Sequence, residues 1–423
     1  VQNGRFARPE VVVTGCGVIS PLGLGGDAQW SALAERRSGV DRLSTFDASG
    51  LPVRIAGQVR DFDPKQYVRP RKSLKVMARD TQFGVTVSEL ACQQAGIAPG
   101  SIDPDRMGVV FGADVIATEL SESMGTYRAC MVDGKFDFSR WGEGMHEAFP
   151  LLFLKILPNM IASHIAIAQD ARGPNNTIHQ GDVSSLVAIA EAVRVIERGA
   201  ADVMLAGGAS SRMQPFDWVR GCKTDQLSTF DGEPQRASRP FEAHRTGQVR
   251  GEGAAALVLE TREHALARGA KILATIAGTA SAIEPRANGR PTCGVERAIR
   301  FALRDAGMSP EQIGFVVAHG LGTIEQDRGE ARAIRQLLGD VPVTAVSSYT
   351  GNLCAAAGAV EAAVALAALI HRQVPVTLNY ETADEHCPVN IVSRSPEPVE
   401  KSVALVLNQT TVGQASALIL SAG

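Results

Sequence analysis

A chain of 423 residues is too long for one small module of about 150 residues, so it holds two or three domains or one large duplicated one. Hydrophobic residues at 45% and charged residues at 21% exclude a disordered or fibrous protein, and a net charge of −3 offers no basic surface for nucleic acid or an anionic membrane. The 42 glycines and an aromatic content of 5% favour an α/β enzyme scaffold, rich in tight βα turns and poor in stacking surface.

The opening residues Val-Gln-Asn-Gly-Arg-Phe lack the apolar core of a signal peptide, and the seven cysteines include no CxxC pair. Reduced thiols in the cytoplasm are the expectation. Val11-Val12-Val13 before Thr14-Gly15 predicts a buried strand ending in a turn. Gly15, Gly17 and Gly23 imitate a dinucleotide loop, but the GxGxxG opening and the acidic residue after the second strand are missing, so no cofactor is expected. Val109-Val110 reads as a further strand, and residues 114–158, with their Trp, Tyr, Phe and Met, break the alternation as a capping or dimerisation insertion. Thr177-Ile178 then leads into a predicted helix whose apolar positions Leu186, Ile189, Val193 and Ile196 recur at helical spacing until Gly199. Strands ending in glycine return at Val203 to Gly207 and Phe315 to Gly320, a pattern of parallel strands with crossover helices and chemistry at the strands' carboxyl ends. The apolar run at 362–370 is far shorter than the roughly 20 residues of a membrane span, and none is expected.

Ala95-Gly96, Pro99, Ile102 and Val109-Val110 recur as Ala306-Gly307, Pro310, Ile313 and Val316-Val317, at offsets of 211 and then 207 residues. Two related α/β halves follow, assigned to residues 1–268 and 269–423, with a site between them drawing on both. The junction of strand and helix at His179-Gln180-Gly181-Asp182 sets Asp182 at a helix N-terminus, where free N–H groups favour negative charge. Asp182 is there either a helix cap or a site residue. His179, Asp182 and His319 have no metal-ligand spacing, so no metal is assigned.

Gly15-Cys16-Gly17 with Ser20-Pro21-Leu22-Gly23, Gly173-Pro174-Asn175, Ser238-Arg239-Pro240-Phe241, Gly251-Glu252-Gly253, Ala318-His319-Gly320 and Ala356-Ala357-Gly358-Ala359-Val360-Glu361 resemble the β-ketoacyl-acyl-carrier-protein synthases of the thiolase fold from end to end. The resemblance implies duplicated α/β/α halves in a five-layered αβαβα architecture, a dimer, and an acyl carrier protein presenting its acyl chain on phosphopantetheine. It also implies a Cys-His-His site, in which the elbow cysteine carries the acyl chain as a thioester and two histidines assist decarboxylation of a malonyl group. A thiolate at a helix N-terminus suits that role.

Counted from the same motifs, the cysteine falls on Asp182, the second histidine on Asn352 and the family's lysine on Ser347, which leaves His319. A carboxylate attacking a thioester gives a high-energy anhydride. It also repels malonyl: charges about 5 Å apart at an effective dielectric near 20 interact by roughly 3 kcal/mol, a factor of about 150. Asn352 can donate a hydrogen bond but cannot exchange a proton. Of the two threonines that hold the arm, Leu321 replaces the first and Thr323 remains. The closing Gly-Phe-Gly-Gly loop, source of an oxyanion N–H and a gate, reads Thr411-Val412-Gly413-Gln414, and Ala113-Asp114 alters the wall beside the acyl tunnel. Cys354, set among Leu353 and alanines, reads as a packing residue.

Ordinary elongation is therefore expected to be disabled. Three functions follow: a chain-length-factor-like partner of a Cys-containing ketosynthase, a Cys-independent enzyme on acyl thioesters using Asp182 and His319, or a non-catalytic homodimer. Chain-length factors usually carry glutamine at the elbow, so Asp182 departs from that pattern as well.

Overall fold

The computed structural model describes residues 8–284 and 293–423; the opening hexapeptide and the side chain of Cys293 lie outside the described residues. Among the described residues twelve strands form one sheet. In chain order they are β1 (Val11–Ser20), β2 (Gly23–Leu24), β3 (Met107–Gly112), β4 (Asn175–Ile178), β5 (Val203–Ser210), β6 (Gly253–Thr261), β7 (Ala274–Ile283), β8 (Phe315–Ala318), β9 (Pro342–Ala345), β10 (Asn390–Ile391), β11 (Val403–Gln409) and β12 (Gln414–Ala422).

The sheet has an internal symmetry. Outward from β1 run β6 and β5, each antiparallel to its neighbour, then β3 and β4, both parallel. From β7 the same sequence of directions passes through β12, β11, β8 and β9. The two runs meet where β1 pairs with β7, through Val12 with Thr275 and Val13 with Ala274. The strands of the sequence repeat, Val109-Val110 and Val316-Val317, occupy equivalent places in β3 and β8.

Helices Ser184–Glu197 and Ala357–His371 pack against each other and against both halves of the sheet, as the middle of five layers. Each is buried on more than one face, the pattern of a helix with no solvent side. Arg79–Ala95 and Cys293–Ala306 cover the outer faces of the two halves. The fold is thiolase-like, as the resemblance implies. One expectation needs correction: Cys354–His371, with mean hydropathy 1.8, is apolar and long enough to cross a membrane by composition. It is 83% buried between the sheet halves, which accounts for its all-round apolar character without a bilayer.

Gly15 and Gly17 serve packing. A Cβ at Gly15 would stand 2.1 Å from the Ala91 carbonyl oxygen and one at Gly17 1.9 Å from that of Val87, so only glycine lets β1 lie on the backbone of helix Arg79–Ala95. Residues 114–158 form helix Leu120–Ala129, a two-stranded ribbon and several short helices. There Tyr127 and Trp141 share an aromatic cluster with Phe136 and Phe216, while Phe138 and Phe153 remain exposed.

Candidate active site

Asp182 sits in a single 3-10 turn, Gly181–Val183, between β4 and helix Ser184–Glu197. Gly181 takes a φ of +59°, which lets the chain turn sharply there. The cap reading of Asp182 is corrected by the hydrogen bonds. Ser184 ties the turn: its Oγ accepts from the Gln180 N–H at 2.8 Å and donates to the Gly181 carbonyl at 2.6 Å. The Asp182 carboxylate is left for a tertiary partner and accepts from Asn352 Nδ2 at 3.0 Å.

That amide is fully committed. Asn352 Nδ2 also donates to Gln248 Oε1 at 2.8 Å, and its Oδ1 accepts from the Cys354 N–H at 2.9 Å. Asn352 therefore holds Asp182 in place and keeps no N–H to polarise a carbonyl.

His319 follows β8 and is 1% exposed. Its N–H donates to Glu330 Oε1 at 2.8 Å, and its Nδ1 lies 3.4 Å from Glu361 Oε1 and 3.1 Å from Asn408 Nδ2. Burial works against the imidazolium, but the hydrogen bond and charge of Glu361, joined by the charges of Asp182 and Glu330, push His319 up to about 9. Burial in turn pushes Glu330 up to about 7, against the charge of His319 and two backbone N–H donors. The carboxylates thus favour the protonated form of His319, and its Nε2 has no hydrogen-bond partner among the described residues.

Asp182, Asn352, Thr323 and Val412 line one cleft of about 410 Å³, and His319 and Ser347 do not. Thr323 also lines an adjoining cavity of about 750 Å³, and its hydroxyl donates to Gln326 Oε1 at 2.6 Å. Ser347 is 6% exposed, and its hydroxyl is spent on the Gly320 carbonyl. Val412 stands at the rim, 76% exposed. Gly413 faces a different pocket, and its N–H donates to the Thr410 carbonyl at 3.1 Å, so it supplies no free oxyanion donor.

Sequence reasoning missed Arg212. Two residues beyond the end of β5, it lines the cleft, and its guanidinium bonds to Asp114 and to the Cys354 sulfur. Cys354 Sγ also approaches Asp114 Oδ2 at 3.1 Å, so Cys354 has polar partners as well as the packing role expected of it. Burial pushes this thiol well above the ordinary cysteine range; the Arg212 cation opposes that shift, and the charges of Asp114 and Asp182 reinforce it. A thiol so held is inert. No local motif flags the trio, because its members lie 98 to 240 residues apart.

A family description for "Beta-ketoacyl synthase, N-terminal domain" matches residues 8–265, and that for the C-terminal domain matches 273–381. The chain is 34% identical over 416 residues to 3-oxoacyl-[acyl-carrier-protein] synthase 2 of Vibrio cholerae, covering 96% of this chain and 97% of that one. The protein of the same name from Synechocystis is 33% identical over 411 residues, covering 95% of each. Among solved structures, a β-ketoacyl synthase from Burkholderia phymatum has a TM-score of 0.88 at 30% identity, covering 98% of this chain and all of that one. The ishigamide ketosynthase/chain length factor has a TM-score of 0.86 at 28% identity, over 99% of this chain and 100% of its own.

Proposed function

The chain belongs to the β-ketoacyl synthase family, and from that premise we propose that it is a member without the nucleophilic cysteine, acting as a chain-length-factor-like partner of a Cys-containing ketosynthase in fatty-acid or polyketide-type acyl assembly. One observation carries this reading: the elbow residue is Asp182, its carboxylate fixed by the Asn352 amide. A carboxylate stores no acyl group as a thioester, and it repels malonate. The Glu361 hydrogen bond and the charges of Glu361, Asp182 and Glu330 also favour the protonated form of His319 against its burial, which weakens the remaining candidate base. The likeness to a ketosynthase/chain length factor structure supports the assignment.

On this reading the acyl carrier protein delivers its phosphopantetheine arm past Thr323 and Val412, and Asp182, His319 and Asn352 are remnants of the catalytic set. The halves divide at 268/269. The dimer forms along the sheet edge at β4, where Asn175 and Asn176 are exposed, and through the aromatic insertion at 114–158. The pair works in the cytoplasm.

Intact-mass measurement of the chain with acyl- and malonyl-carrier protein, alone and mixed with a Cys-containing ketosynthase from the same source, tests the proposal when CO2 release is followed in parallel. The expected result is no acylation and no CO2 from the chain alone, with altered product length in the mixture. Turnover by the chain alone, abolished by Asp182→Ala, establishes a cysteine-free enzyme instead.

A further inference from the structure

The cleft at Asp182 has an unusual lining for a site that holds acyl chains. Among the described residues around it, Val412 contributes the only aliphatic side chain apart from threonine methyls, and it stands at the exposed rim. Pockets for apolar ligands are lined mostly by apolar groups, and burying one methylene against such a wall strengthens binding about fourfold. Here the wall consists of amides, hydroxyls and charges.

Behind the lining residue Arg212 the surroundings stay polar. Asp114 and Arg212 each lie two residues beyond parallel strands β3 and β5, so the topology brings them together beside the elbow after β4. Arg212 bonds through Nε to Asp114 and through Nη2 to Cys354, and its Nη1 is 4.0 Å from Asp225 Oδ2. The two charged side chains are 18% and 7% exposed. An alkyl group pressed against Arg212 strips water from its guanidinium and returns no hydrogen bond, whereas a carbonyl oxygen can accept from the Nη1 edge.

We propose that Asp114, Arg212 and Cys354 form a polar stop beside Asp182, so that this chain's cleft favours short, oxygen-bearing acyl groups on a pantetheine arm and gives a longer alkyl chain no added affinity. The inference rests on the reading of the cleft as an acyl-thioester site. It goes beyond that reading by naming the class of acyl group and the residue that selects it.

Calorimetric titration of the whole chain with pantetheine thioesters of acetoacetate, butyrate and octanoate tests it. The expected pattern is equal affinity for butyryl and octanoyl and about tenfold tighter binding of acetoacetyl, from one carbonyl hydrogen bond to a charged donor. Affinity that climbs about fourfold per methylene from butyryl to octanoyl overturns the stop and leaves the acyl-site reading intact. Failure of all three thioesters to bind overturns that reading, and the stop with it. The paired variant Arg212→Met with Asp114→Asn, shown to be folded by its thermal transition, should gain at least tenfold in octanoyl affinity over butyryl and lose the acetoacetyl preference. The wild-type series decides the question even if the variant fails to fold.

Discussion

The carboxylates around His319 favour its charged form where almost no water reaches it, and they supply what water would. Because its folded pKa of about 9 lies above the ordinary 6.5, its stabilisation is complete below pH 6.5 and is lost as the pH rises through 9. The shift corresponds to about 3 kcal/mol. Urea unfolding midpoints should fall between pH 7 and 9.5 in the wild type, and His319→Gln should remove most of that slope; an unchanged slope would place the charge elsewhere. Asp182 bears on the same network. Asp182→Cys alone should not restore elongation, since on the proposed reading Asn352 and Ser347 stand where the family has a histidine and a lysine, and the Asn352 amide still donates to Gln248. Substantial acylation and CO2 release by that single variant would show that these two positions matter less than argued. The identity of Asp182 and its place at a helix start were legible in the sequence, because both are local. Its true partner was not, since Asn352 lies 170 residues away and only the folded chain brings them together. For a related reason a motif shows the Gly413 N–H but not the Thr410 carbonyl that already accepts it.

At the scale of elements, strand β1 and helix Arg79–Ala95 illustrate how a sequence feature with two readings is settled by packing. Glycines 15 and 17 look like the start of a nucleotide loop, yet they are the flat side of a strand against a helix backbone. Gly17→Ala should destabilise the protein by roughly 3 kcal/mol, as forced overpacking does, and lower its thermal midpoint by several degrees without altering any side-chain chemistry. A neutral outcome would mean that the helix can move away from the strand. The helix Ala357–His371 was legible as apolar but not as buried between layers, because a core helix and a membrane helix share one composition. Hydrophobic periodicity speaks of faces, and a helix buried all round has none.

For the whole molecule, the repeat of turn and strand between residues 95–110 and 306–317 announces the duplication, and matching strand directions in the two halves carry it through the sheet. What the repeat does not announce is the join. β1 and β7 pair through two residues each, so the halves depend chiefly on the helices packed between them. The scaffold residues keep their motifs while the cleft departs from them, which is possible because the apolar middle layer makes the fold independent of the site's chemistry. The order of strands also sets a schedule for synthesis. Val11 pairs with Thr261, 250 residues later in the chain. At about 5–20 residues per second a ribosome takes roughly 12–50 s to cover that distance, and through that interval the first strand has no neighbour in the main sheet beyond its own short hairpin. Helix Arg79–Ala95 can cover one face of that strand much earlier, but its backbone edge in the main sheet stays unpaired until Thr261 has been made.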